Sequence, residues 1–163
     1  MIDAYELFPY TYKIGTMNLV TNDMTSRVSL RNMGVAGNRK IIKIPASHKS
    51  YAGYGDNTLN DFGRGKLVKI ITLQDVLDLD KIKDAVLKCD SQGSEYDMIA
   101  NSSVKTLSKF SQIIIEYHYG WTEIERKLIK AGFRVQIKKY KDVWQNDRLE
   151  SERTGMLYAT KKQ

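Results

Sequence analysis

The clearest pattern in the chain is a pair of short apolar runs, each ending in polar groups. Ala85-Val86-Leu87-Lys88-Cys89 leads into Asp90, and Ile113-Ile114-Ile115 leads into Glu116, Tyr117 and His118. Near-continuous apolar runs of this length suit strands of a parallel sheet covered on both faces. Between them, a segment beginning near Ser94 and running to about Phe110 reads as a helix, with Ser94 and Asp97 as capping candidates. After the second run, Trp121, Ile124, Leu128 and Ala131 recur at helical spacing, and Gly132 supplies a stop. Phe133 to Tyr140 and Gly155 to Thr160 then read as two late strands. Only a loop separates them, so an antiparallel pairing is expected.

Upstream, the first six residues read as a strand ending at Glu6, and Pro9 suits the first turn of a helix reaching about Asn22. Arg27 to Val35 reads as one strand, and Ile41, Ile42 and Ile44 as a short extended piece stopped by Pro45. Residues 46–65 are rich in Ser, Gly, Asn, Asp and Tyr, a long loop in which Tyr51 and Tyr54 are candidates for a lid. Lys66 to Thr72 returns to strand, and Thr72 caps a short helix over Leu73 to Leu77, with Asp75 three residues on. Strands alternating with helices predict an α/β fold with a mostly parallel sheet in three layers and an antiparallel C-terminal strand. No repeat or compositional shift divides the chain, so residues 1–163 read as a single domain.

Composition narrows the classes. The 26 Lys and Arg against 19 Asp and Glu give a net charge of +7, which favours anionic partners. The basic residues are dispersed, however. The densest run, Arg134 to Lys141, alternates with Val135 and Ile137, as a half-buried strand with a solvated face does. No aromatic and basic signature of an RNA-binding sheet is present, so nucleic acid is not the expected partner. Cys89 is the single cysteine, which excludes an intramolecular disulfide framework, and two histidines exclude a zinc finger. No apolar run approaches the roughly 20 residues of a membrane span. The opening residues lack the features of a signal peptide, so a reduced cytoplasmic protein is the expectation.

Ligands of open α/β sheets bind beyond the carboxyl ends of the strands. Glu6, Asp90, Glu116 and His118 all fall at such ends. Glu116 and His118 are two residues apart and share a strand face, so one can orient the other. An imidazole with an ordinary pKa near 6.5 suits proton transfer. The spacing of Asp90, Glu116 and His118 along the chain is not diagnostic of a metal centre, and none is assigned. Cys89 reads as inert core.

These residues resemble a known family. Glu6-Leu7-Phe8-Pro9 followed by Tyr12, Asn18 and Asn22 resembles the "E-P-x-P…y…N…N" stretch of FkbM-family methyltransferases. Leu87-Lys88-Cys89-Asp90-Ser91-Gln92-Gly93-Ser94-Glu95 resembles the family's "L-K-x-D-x-E-G-x-E" segment. Ile113 to His118 resembles its "hydrophobic-E-x-H" strand, and Gly132-Phe133 its later "G-F". The resemblance implies a Rossmann-like class I fold, S-adenosylmethionine as cofactor, and methylation of a hydroxyl on a carbohydrate or small natural product. It implies that Glu6 binds the ribose hydroxyls of the cofactor, that Asn32 and Met33 lie beside its adenine, and that Asp90 sits between cofactor and substrate. Glu116 and His118 would border the substrate, with Asp90 or His118 taking its proton.

The chain departs from the family at Leu7, where proline is usual, at Gly15, where leucine is usual, and at Gln92, where glutamate is usual. It starts at what would be the second strand, without the family's first strand and Gly-rich turn. That gap leaves three alternatives, direct pairing of the flanking strands, cover from a second chain such as another copy, or a sequence that is a piece of a longer protein, and the expectation is the piece or a natural truncation with impaired cofactor binding. A non-catalytic binding or scaffold domain with impaired cofactor binding is the alternative function.

Overall fold

The computed structural model describes residues 1–45, 61–79, 84–140 and 154–162. Tyr51 and Tyr54, the lid candidates, lie outside the described residues. In chain order the elements are β1 (Ile2–Tyr5), α1 (Pro9–Thr21), β2 (Val28–Arg31), β3 (Met33–Val35), β4 (Lys40–Ile44), β5 (Lys66–Ile71) and α2 (Leu73–Leu79). They continue with β6 (Ala85–Cys89), α3 (Ser94–Asn101), α4 (Val104–Leu107), β7 (Phe110–Tyr117), α5 (Thr122–Lys130), β8 (Phe133–Lys139) and β9 (Gly155–Lys161). The class is α/β, as the sequence predicts. Among the described residues no helix is long and apolar enough to cross a membrane.

The two apolar runs become β6 and β7, paired in parallel through the α3–α4 crossover. β9 lies between β7 and β8 and runs antiparallel to both, giving the order β6-β7-β9-β8. Three strands of this sheet thus share one direction, and the C-terminal strand is reversed. The period of two along β7 sends Ile113, Ile115 and Tyr117 into the core. They pack with Leu157 and Ala159 of β9 and Phe133 of β8 against Met98 and Ile99 of α3 and Ile124 and Leu128 of α5. On the opposite face Val86 and Gln112 are exposed, and the core face of this sheet is covered by residues of α2, α3, α4 and α5.

The remaining strands form two smaller ladders. β1 and β2 pair in parallel, and β3-β5-β4 pairs β3 parallel and β4 antiparallel to β5. Phe8 and Leu7, leaving β1, pack on the face of the three-stranded sheet formed by Ile42, Ile44, Val68 and Ile70. Gly15 of α1 has a packing reason. A Cβ there would stand 2.9 Å from the Leu30 side chain, so glycine lets the helix lie close on β2. β1 and β6 belong to separate ladders, so direct pairing of these two strands does not occur.

Two elements depart from the sequence reading, each for a local polar reason. Arg27 to Val35 is not one strand but two in different sheets. At the break, the Asn32 side-chain amide donates to the carbonyls of Glu6 and Leu7, both at 3.0 Å, tying the end of β2 to the end of β1. The helix expected to run to Phe110 ends at Asn101. Ser102 Oγ donates back to the Met98 carbonyl, and Ser103 accepts the Thr106 N–H and starts α4 as its cap. Thr72 and Asp75 do form the reciprocal cap of α2, and Asp75 is also held by Arg39, which keeps its carboxyl well below the usual range.

The register predicts a sharp contrast between faces. Ile115 is 0 % exposed and Val86 is 57 % exposed. Ile115→Ala should destabilise the protein by about 2–5 kcal/mol in denaturant unfolding, and Val86→Ala by no more than about 0.5 kcal/mol. Equal losses would contradict the assignment of faces.

Candidate functional site

Asp90 follows the last residue of β6, and Glu116 and His118 bracket the end of β7, so parallel pairing brings all three to one rim. Their potential ligand atoms lie within 4.8 Å of one another. Met156 and Gly155, at the start of reversed β9, face Glu116 and Tyr117 at the same rim, and β8 ends there too, delivering Tyr140.

The turn after Asp90 shapes the site. Gln92 has φ +54° and Gly93 φ +117°, both in the left-handed region, and the turn opens directly into α3. Glu95, in the first turn of α3, is 0 % exposed. Its Oε2 accepts the Gly93 N–H at 2.7 Å and the Ser91 hydroxyl at 2.9 Å. Its Oε1 stands 2.8 Å from His118 Nδ1. A buried carboxylate needs such compensation, because an unpaired charge in the interior is strongly unfavourable. With Glu95 accepting at Nδ1, the neutral imidazole carries its proton there and its lone pair on Nε2. Nε2 stands 4.0 Å from Asp90 Oδ1. The His118 side chain is only 13 % exposed, and Asp90 is more open at 36 %.

The electrostatics follow from this arrangement. The hydrogen bond to Glu95 raises the pKa of His118, partial burial opposes that rise, and Glu95, Glu116 and Asp90 add attraction for the imidazolium. Tyr140 donates to Glu116 Oε1 at 2.9 Å. Burial first, and Glu116 second, push the Tyr140 phenol up to about 12, so it remains a neutral donor. Lys88 Nζ stands 4.0 Å from Asp90. Burial likewise pushes the Cys89 thiol up to about 12, which suits an inert core residue.

The other sequence candidates lie elsewhere. Glu6, at the end of β1, accepts the Phe8 N–H at 2.7 Å on Oε1. Burial raises its pKa, against the backbone amides of Phe8 and Leu7, which lower it. Asn32, besides its two donated bonds, accepts from Lys66 Nζ at 3.1 Å. Met33 opens β3 and lines a cleft of about 570 Å³ together with Lys40, Ile41, Lys69 and Leu79. The structure therefore joins Glu6 with Asn32, and Asp90 with Glu116 and His118. Among the described residues no hydrogen bond or ion pair links the two groups.

Glu95 is the site residue that sequence reasoning passed over. The sequence reading has one of Glu116 and His118 orienting the other, whereas Glu95 holds His118 and Tyr140 holds Glu116. The available signal was an acid two residues beyond the Gly93 turn and inside the segment carrying the family resemblance.

No family model matches the chain, and no curated protein matches it. Two solved structures that it resembles are methyltransferases. One is a precorrin-6y C5,15-methyltransferase from Geobacter metallireducens, 14 % identical with a TM-score of 0.47, the match covering 98 % of this chain and 68 % of that one. The other is methyltransferase FkbM from Methylobacillus flagellatus, 14 % identical with a TM-score of 0.49, covering 91 % of this chain and 32 % of that one. This chain thus spans about a third of the length of the second.

The Glu95–His118 bond has a titration signature. The folded pKa of His118 lies above its ordinary 6.5, so the pair's contribution to stability is present below about pH 6.5 and is lost as pH rises through the folded pKa. Glu95→Gln should lower the His118 midpoint in an NMR titration. The stability gap between wild type and variant that is due to this pair should narrow as pH rises through that range. An unchanged midpoint would show that Glu95 does not hold the ring.

Proposed function

We propose that this chain is a methyltransferase domain of the FkbM type in a reducing, cytoplasmic compartment. In this reading it uses S-adenosylmethionine to methylate a hydroxyl on a carbohydrate or small natural product. The observation that carries this reading is an imidazole held at Nδ1 by buried Glu95, with Nε2 turned to a rim that it shares with Asp90 and Glu116. The ordered resemblance of three sequence segments supports it, because two of them meet at this rim.

The residues present fit such a cofactor in part. A carboxylate can accept several hydrogen bonds, so Glu6 keeps capacity for ribose hydroxyls beyond its bond to Phe8. Asp90, partly exposed at the strand end, suits the boundary between cofactor and acceptor. Asn32 fits less well, since its amide ties two strand ends together. Bound S-adenosylmethionine supplies an electrophilic methyl group. The chain's own task is to hold the acceptor oxygen in line and to take its proton. His118 does the latter at Nε2, and the carboxylates of Glu95, Asp90 and Glu116 stabilise the resulting imidazolium. Tyr140 keeps Glu116 in place by donating to it.

A second reading, a non-catalytic methyltransferase-like binding domain, rests on a different observation. Glu6 and Asn32 sit on a ladder that shares no strand with the one carrying Asp90 and His118. Thermal denaturation with S-adenosylmethionine or S-adenosylhomocysteine separates the two. A ligand at 100 times its Kd adds about 2.7 kcal/mol of stability. The methyltransferase reading expects a clear upward shift, whereas no shift at millimolar cofactor would favour the binding domain. Asp90→Ala should abolish methyl transfer while leaving the unfolding transition intact, and retained turnover would remove Asp90 from the site.

A further inference from the structure

We infer that Asp90, Glu116 and His118 form a binding site for a divalent transition-metal cation, one carboxylate oxygen from each acid and Nε2 from the imidazole. This goes beyond the methyltransferase reading and stands or falls without it. Spacing along the chain gives no hint of such a site. The fold creates it by placing the ends of two parallel strands side by side, so that the three ligand atoms come within 4.8 Å of one another.

Three features favour a cation over an incidental cluster. The first is the gap itself. Nε2 and Asp90 Oδ1 are 4.0 Å apart, too far for a hydrogen bond. Ligands about 2.0–2.2 Å from a shared ion stand roughly 3–4 Å apart, so the gap needs little closing. The second is the support behind the imidazole. Metal-bound histidines typically give their other ring N–H to a carboxylate, which fixes the tautomer and turns the lone pair toward the ion. Glu95, outside the three ligands and 0 % exposed, does this for His118, and is itself fixed by Ser91 and the Gly93 amide. The third is that Glu116 has its own outer partner, the neutral phenol of Tyr140.

The donor set indicates the class of ion. One imidazole with two carboxylates suits Mn²⁺, Co²⁺ or Zn²⁺ better than Ca²⁺, which prefers oxygen ligands throughout. Asp90 lies on the open side of the rim, which leaves coordination positions for water or a ligand oxygen. A cation there takes the Nε2 lone pair, so cation binding and proton uptake by His118 exclude one another.

The test uses the whole chain, freed of metal with a chelator and then titrated with ZnCl₂ by calorimetry and with CoCl₂ by visible absorption. The expected result is one saturable site per chain with a Co²⁺ spectrum of low-symmetry coordination. His118→Gln and Asp90→Asn should each weaken binding at least about tenfold, and Glu95→Gln, which leaves all three ligands, by about 10–100-fold. Cys89→Ser should leave binding unchanged. Circular dichroism confirms that each variant is folded. His118 and Asp90 are not core residues, so the test survives if Glu95→Gln fails to fold. No saturable binding by the wild type, or binding that persists in both His118→Gln and Asp90→Asn, would overturn the inference. Cofactor-induced thermal shifts measured in the presence of chelator report on the methyltransferase reading separately.

Discussion

The rim depends on one buried charge. Glu95 has no access to solvent, and its carboxylate is compensated by the Gly93 amide, the Ser91 hydroxyl and the His118 ring. These partners come from two places, the turn that leaves β6 and the residue that follows β7. A single carboxylate therefore fastens the exits of two adjacent parallel strands together. Removing one partner from a buried pair of this kind leaves an uncompensated charge, typically at a cost of about 3–5 kcal/mol. That penalty defines the orientation of His118, and through it everything the rim can do with Asp90 and Glu116.

Chemistry follows from the same constraint. A histidine at a strand end with both nitrogens in water would be an ordinary surface base. Here Nδ1 is committed, Nε2 is left with the lone pair, and two further carboxylates lie nearby. Such a group attracts positive charge, whether a proton taken from an acceptor hydroxyl or a metal ion. Proton acceptance and cation binding are thus two uses of one electrostatic design, and they differ in what occupies the gap between Nε2 and Asp90.

Much of this was legible in the residues. The runs at 85–89 and 113–115 become neighbouring strands that turn Leu87, Cys89, Ile113 and Ile115 to the core and leave Val86 on the open face, and the polar groups that end them mark the rim. The antiparallel pairing of the last two strands was expected because the sequence between them reads as a loop. What could not be read were the features that depend on contacts distant in sequence. Asn32 looks like one more residue of a strand until the carbonyls of Glu6 and Leu7, about 25 residues earlier, claim its amide. Glu95 looks like a routine acid in the first turn of a helix, since its partner His118 is 23 residues away in the chain. The helix break at Ser102 and Ser103 was local, but serine is compatible with both an interior and a cap, and the hydrogen bonds decide.

The most direct measurement of the account is the tautomer of neutral His118, read from the ¹⁵N chemical shifts of its ring in a long-range ¹H–¹⁵N spectrum above its pKa. A carboxylate at Nδ1 predicts a protonated Nδ1 and a bare Nε2. A ring protonated mainly on Nε2, as free histidine prefers, would mean that Glu95 does not hold it, and the rim as described would not exist.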